Sequence, residues 1–75
     1  MQRYRNLSGN SGVVAFALAH DAILVEFEDG GIYLYNRESA GRERVERMKR
    51  LALEGRGLST YIARHVRDGY AAKLR

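Results

Sequence analysis

Hydrophobic residues recur at about every second position from Val13 to Tyr35 and at every third or fourth from Val45 to Val66. The pattern thus changes from strand to helix near residue 36. The centre of the first half is Ala22–Tyr35, AILVEFEDGGIYLY, which predicts two short strands folded back at Asp29-Gly30-Gly31. Ile23, Val25 and Phe27 share one face of the first of these strands, and Leu24, Glu26 and Glu28 the other. In the second, Ile32–Asn36, Tyr33 and Tyr35 lie opposite to Ile32 and Leu34. A two-residue Asp29-Gly30 loop would pair Phe27 with Ile32. A three-residue Asp29-Gly30-Gly31 loop with a glycine bulge pairs Phe27 with Tyr33 and Val25 with Tyr35, and is preferred because it uses both glycines. Ile32 and Leu34 then sit beside Glu28 and Glu26 on the outer face.

An earlier strand is expected over Val13–Ala19, with Val14, Phe16 and Leu18 on one face and Ala15, Ala17 and Ala19 on the other. Alanine and leucine also suit a helical turn, but His20-Asp21 as a tight turn into Ala22 favours the strand. Residues 1–10 are polar and are expected to fray. Asn36 or Ser39 caps a helix over about residues 40–54, in which Val45, Met48, Leu51 and Ala52 form a narrow apolar stripe and Arg42, Arg44, Arg47, Lys49 and Arg50 surround it. Gly55 ends it. After Gly55-Arg56-Gly57, Ser59 or Thr60 caps a last helix with Leu58, Tyr61, Ile62, His65 and Val66 on one face and Arg64, Arg67 and Asp68 outward. Gly69 interrupts it, and the tail AAKLR either continues as a frayed helix or is loose. The resulting fold class is α+β: a three-stranded antiparallel meander followed by two helices packed on one face of the sheet. Its divisions are a flexible N-terminus at 1–10, a single domain at 11–70 and a frayed tail at 71–75.

Composition sharpens this reading in two ways. With 75 residues and no cysteine, the chain has neither disulfides nor thiolate metal sites to supplement a small core, so efficient packing or self-association is required. Its charge is divided. Up to Gly41, three arginines face five carboxylates, net −2; from Arg42 onward, ten Lys/Arg face four carboxylates, net +6. A basic helical half points to an anionic partner. No apolar run approaches the roughly 20 residues of a membrane helix, and MQRYRNLSGNSG lacks the apolar centre of a signal peptide, so a cytoplasmic protein of bacterial style is expected.

The pieces Leu24-Val25-Glu26-Phe27, Gly30-Gly31-Ile32-Tyr33-Leu34-Tyr35 and, more loosely, Gly57 to Arg67 resemble the KTSC domain. That small bacterial module occurs at the C-terminus of some lysyl-tRNA synthetases and as a free-standing protein. The resemblance spans most of residues 13–70 and rests mainly on the YxY triplet. The chain departs from the family in lacking the Val-Pro step after YxY, for it contains no proline. The resemblance implies no enzymatic activity, and it suggests RNA binding.

Among candidate sites, the basic helical surface ranks first, with Arg47, Arg50, Arg56, Arg64 and Arg67 at its centre. Such a cluster binds phosphates through counterion release with little sequence preference. Against it, Glu43–Arg47 and Glu46–Arg50 are i,i+4 pairs that merely support an exposed helix. Gly57, Ser59 and Thr60 at a helix start, with Arg56 alongside, form a candidate anion site, although a C-cap followed by an N-cap explains the same residues. Tyr33 and Tyr35 serve either as core residues or as stacking platforms for bases. His20 and His65 lack partners at ligand spacing, and no residue pattern marks a catalytic group, a cofactor or a small-molecule substrate. The reading that follows is a non-enzymatic binding module for RNA or another anionic partner. The alternative is a homodimer or protein-interaction module using Leu24, Ile32 and Leu34 on the sheet's outer face.

Overall fold

A computed structural model describes all residues from Met1 to Arg75. The architecture is α+β, with five antiparallel strands in sequence order across one sheet: β1 (Gln2–Arg3), β2 (Val13–Leu18), β3 (Ala22–Phe27), β4 (Ile32–Asn36) and β5 (Ala72–Lys73). Three helices pack on one face: α1 (Arg37–Ala40), α2 (Arg42–Glu54) and α3 (Leu58–Tyr61), the last continued by a π-helical turn over Ile62–Val66. The three central strands match the expected meander, and the two outer ones enlarge it.

The hairpin keeps the expected faces but not the expected register. Val25 pairs with Tyr33 and Ile23 with Tyr35, two residues away from the expected alignment. The loop does have three residues, but they are Glu28-Asp29-Gly30. Phe27 N–H donates to Gly31 O, Gly30 N–H donates back to Phe27 O, and Gly30 takes the positive φ of 91°. Asp29 Oδ1 accepts from Gly31 N–H at 2.9 Å and fixes this choice. Because the slip is two residues, every side chain stays on its expected face. In β2 the alternation is broken: a bulge between Val13 and Ala15 puts Val13 in the core and leaves Val14 39 % exposed.

The core joins Phe16, Ile23, Val25 and Tyr35 of the sheet to Val45, Met48 and Ala52 of α2 and to Leu58, Ile62 and Val66. Fully burying each large aliphatic side chain is worth roughly 1.5–3 kcal/mol, so this one layer carries the stability. The expected single helix from about residue 40 is two. Asn36 caps α1 in a capping box with Ser39, its Oδ1 accepting from Ser39 N–H at 2.8 Å, and Gly41 at φ 94° then breaks the helix before α2 starts. Gly55 ends α2 as expected, in the left-handed conformation at φ 78°.

The two chain ends, expected to fray, are both in the sheet. Tyr4 is buried at 3 % exposure, its hydroxyl accepts from Leu58 N–H at 3.3 Å, and Leu7 N–H donates to Gly55 O at 2.7 Å, so the N-terminal segment seals the junction between α2 and α3. At the other edge, Ala71 and Leu74 N–H donate to Leu34 and Ile32 O, which makes β5 an ordered edge strand. No helix is long and apolar enough to cross a membrane.

Candidate functional site

Three surfaces bring candidate residues together: the exposed side of α2, the hollow where α3 begins, and the two faces of the sheet.

On α2, Arg42, Arg47 and Arg50 are exposed, but Glu43 and Glu46 stand among them in the same shallow depression. The expected Glu43–Arg47 and Glu46–Arg50 pairs do not form. Glu46 pairs instead with Lys49 at 3.4 Å, and Lys49 Nζ also donates to His20 O at 2.6 Å. Lys49 therefore ties α2 to the turn between β2 and β3 rather than belonging to a free basic face. Of the thirteen Lys/Arg in the chain, only Lys49 and Arg75 have carboxylate partners. The remaining cations have no carboxylate partner. Arg47 and Arg50 lie on α2, Arg56 and Arg67 border two different hollows, and Arg64 is exposed on the π-helical turn.

Arg56, Gly57, Ser59 and Thr60 do converge, with Ser8, Asn10 and Ser11, on a hollow of about 420 Å³ lined by no hydrophobic residue. The expected cap is different: Gly57, at φ 79°, occupies the N-cap position, and neither Ser59 nor Thr60 caps the helix. One of the helix's leading donors, Leu58 N–H, is already bonded to Tyr4 Oη. The α-helical portion is four residues long, so little dipole is left for an anion. His65, expected at the core edge, is exposed and lies against Tyr61 with ring centroids 4.9 Å apart. The π turn adds a residue to this part of the helix and rotates His65 off the apolar face while Val66 remains buried.

The tyrosines are settled by the sheet's faces. Tyr35 is 2 % exposed and Tyr33 is partly buried, both on the helix-covered side. Burial, then the neighbouring Tyr33 and Tyr70 phenols, pushes the Tyr35 hydroxyl up to about 12. No aromatic ring is therefore offered on the open side. That open face is aliphatic instead. Pairing across the strands places Ala17, Leu24, Leu34 and Ala72 in one lateral row. The next row holds Arg3, Ala15, Glu26 and Ile32. Leu24, Ile32 and Leu34 are only half-buried and lie outside the core cluster. Of the charges on this face, Glu26 is met by Arg75 Nη2 at 3.5 Å, while Arg3 is exposed and has no carboxylate partner.

Sequence reasoning missed one assembly altogether. Phe27, Tyr33, Tyr35 and Tyr70 line an open cleft of about 510 Å³ between the β3–β4 hairpin and the segment after the π turn. The strand period put Phe27, Tyr33 and Tyr35 on one face; what it could not announce was Tyr70, which the chain brings back from beyond the π turn.

Comparison with known proteins gives no match: no family model, no curated protein and no solved structure is significantly similar to this chain.

Proposed function

We propose that this domain is a non-enzymatic interaction module that works through the open face of its sheet, and that its first partner is a second copy of itself. The observation that carries this is the row Ala17–Leu24–Leu34–Ala72. An antiparallel sheet with a free face is ordinarily polar on that face. Here a ridge of two leucines runs between two alanine furrows. A two-fold copy offset by about one strand would lay its leucine ridge in the partner's furrow. The resemblance to the KTSC domain bears on the non-enzymatic part of this reading, and a bacterial, cytoplasmic setting is proposed with it.

Gel filtration with light scattering tests the reading. A mass near two chains at high concentration, falling to one in Leu34→Glu with the fold intact by circular dichroism, is the expected result. A wild-type monomer throughout the millimolar to micromolar range sinks it.

RNA binding is the second reading, favoured by the large number of Lys/Arg without carboxylate partners. It ranks lower because Glu43 and Glu46 interrupt the α2 set and Arg56 and Arg67 line two other hollows. Fluorescence anisotropy with a single-stranded RNA, a tRNA and a duplex DNA decides it. Preference for one RNA that survives physiological salt and disappears in Arg64→Ala/Arg67→Ala would restore it to first place. Weak binding to all three that vanishes with salt reduces the charge to solvation.

A further inference from the structure

The aromatic cleft lies on the helix-covered side of the sheet, away from the proposed self-association face, and carries an inference of its own. Its rings are held in a connected set. Phe27 meets Tyr33 edge to face at 5.6 Å between centroids, Tyr33 meets Tyr70 at 4.8 Å, and Tyr70 meets Tyr35 at 6.3 Å. Tyr70 remains 38 % exposed, so the outermost ring is open to solvent. Three carboxylates, Glu28, Asp29 and Asp68, stand at the same cleft, against the single guanidinium of Arg67. None of the three is in an ion pair, although the chain as a whole has an excess of cations. The cleft's lining is thus net negative, as is the sheet half of the chain, in contrast to the basic helical half. Tyr33 also accepts a cation within the fold, for Lys73 Nζ lies 5.7 Å from its ring centroid.

Arg67 shapes the mouth of the cleft. It is a non-glycine residue at φ 54°, a conformation that costs of order 1 kcal/mol or more, and it turns the chain so that Asp68 and Tyr70 both reach the cleft. Aromatic faces with unpaired carboxylates at their edge suit one chemistry best. A guanidinium is planar, weakly hydrated, stacks on rings and pairs with carboxylates through two parallel N–H donors, whereas an ammonium is a compact, strongly hydrated point charge.

We infer that the cleft between Phe27, Tyr33 and Tyr70, rimmed by Glu28, Asp29 and Asp68, receives the guanidinium of an arginine side chain presented by a partner polypeptide. The backbone of Arg67 then sets the mouth of the site, while its guanidinium is a like-charged neighbour that weakens binding.

The probe is N-acetyl-arginine-methylamide, titrated into the full chain at constant ionic strength and followed by ¹H–¹⁵N NMR and tyrosine fluorescence. The neutral isostere N-acetyl-citrulline-methylamide is the control. Saturable shifts centred on Gly12, Phe27, Glu28, Asp29, Tyr33, Asp68 and Tyr70, with a millimolar Kd for arginine and at least fivefold weaker binding of citrulline, are expected. Asp68→Asn and Tyr70→Ala should each weaken arginine binding several-fold; both positions lie outside the core cluster, and the amide spectrum reports whether each variant is folded. Arg67→Ala should tighten it. Equal binding of citrulline, no saturable shift, or weaker binding in Arg67→Ala overturns the inference. The last result would instead make Arg67 an anion contact, as the RNA reading requires.

Discussion

Tyr35 is a phenol whose proton the fold retains. Burial disfavours the phenolate first, and the adjacent Tyr33 and Tyr70 add to the effect, so the folded-state value rises from 10.0 to about 12. The unfolded chain releases this proton near pH 10. Between pH 10 and about 12 the native state therefore holds a proton that the unfolded state has lost, and stability falls as pH rises. The contribution is fully present below pH 10, and a two-unit difference corresponds to roughly 2–3 kcal/mol once both states have ionised. Tyr35→Phe has no proton to lose. Urea midpoints measured from pH 8 to pH 11 should fall less steeply for the variant than for the wild type. Parallel slopes would mean that the alkaline loss does not come from Tyr35.

At the level of elements, the N-terminal segment is structural. Tyr4 fills the gap between β2 and α3 and supplies the acceptor for Leu58 N–H. Tyr4→Phe keeps the ring but leaves that donor unpaired in a buried setting, a loss of about 1–3 kcal/mol. Tyr4→Ala removes the ring as well and should cost about 3–5 kcal/mol, a large share of what so small a domain has. Chemical denaturation measures both, and equal midpoints for the two variants would refute a packing role for the ring. The central meander, the α2 stripe and its Gly55 stop were legible because each depends on a local period or on one residue's backbone freedom. The hairpin register was not, because the decision between neighbouring three-residue loops rests on a single hydrogen bond from Gly31 N–H to Asp29. Strands β1 and β5 have two residues each, too few to carry a period. The candidate basic set was legible only as composition. Sequence spacing could not place Arg56 and Arg67 at separate hollows, nor assign Lys49 to His20 O.

For the whole molecule, the open sheet face and the thin core have a joint consequence. A chain of 75 residues with no cysteine relies on one layer of buried side chains, and sixteen of its residues are buried. If two copies cover each other's Leu24–Leu34 ridge, part of the stability becomes intermolecular, and unfolding turns into a reaction from one dimer to two chains. Each tenfold rise in concentration then adds about 1.4 kcal/mol per dimer, which shifts Tm by roughly 3–6 °C for a unit of this size. Leu34→Glu opposes association without touching the core cluster, so its Tm should stay flat with concentration and meet the wild-type curve at high dilution. Differential scanning calorimetry across a hundredfold concentration range gives the answer. A wild-type Tm independent of concentration would mean that the aliphatic face is tolerated by a monomer, and the partner for it would have to be a different polypeptide. A shift that persists in Leu34→Glu would move the interface away from the sheet, with the arginine-seeking cleft at Tyr70 and Asp68 as the next place to look, since the chain's own unpaired arginines could supply its guest.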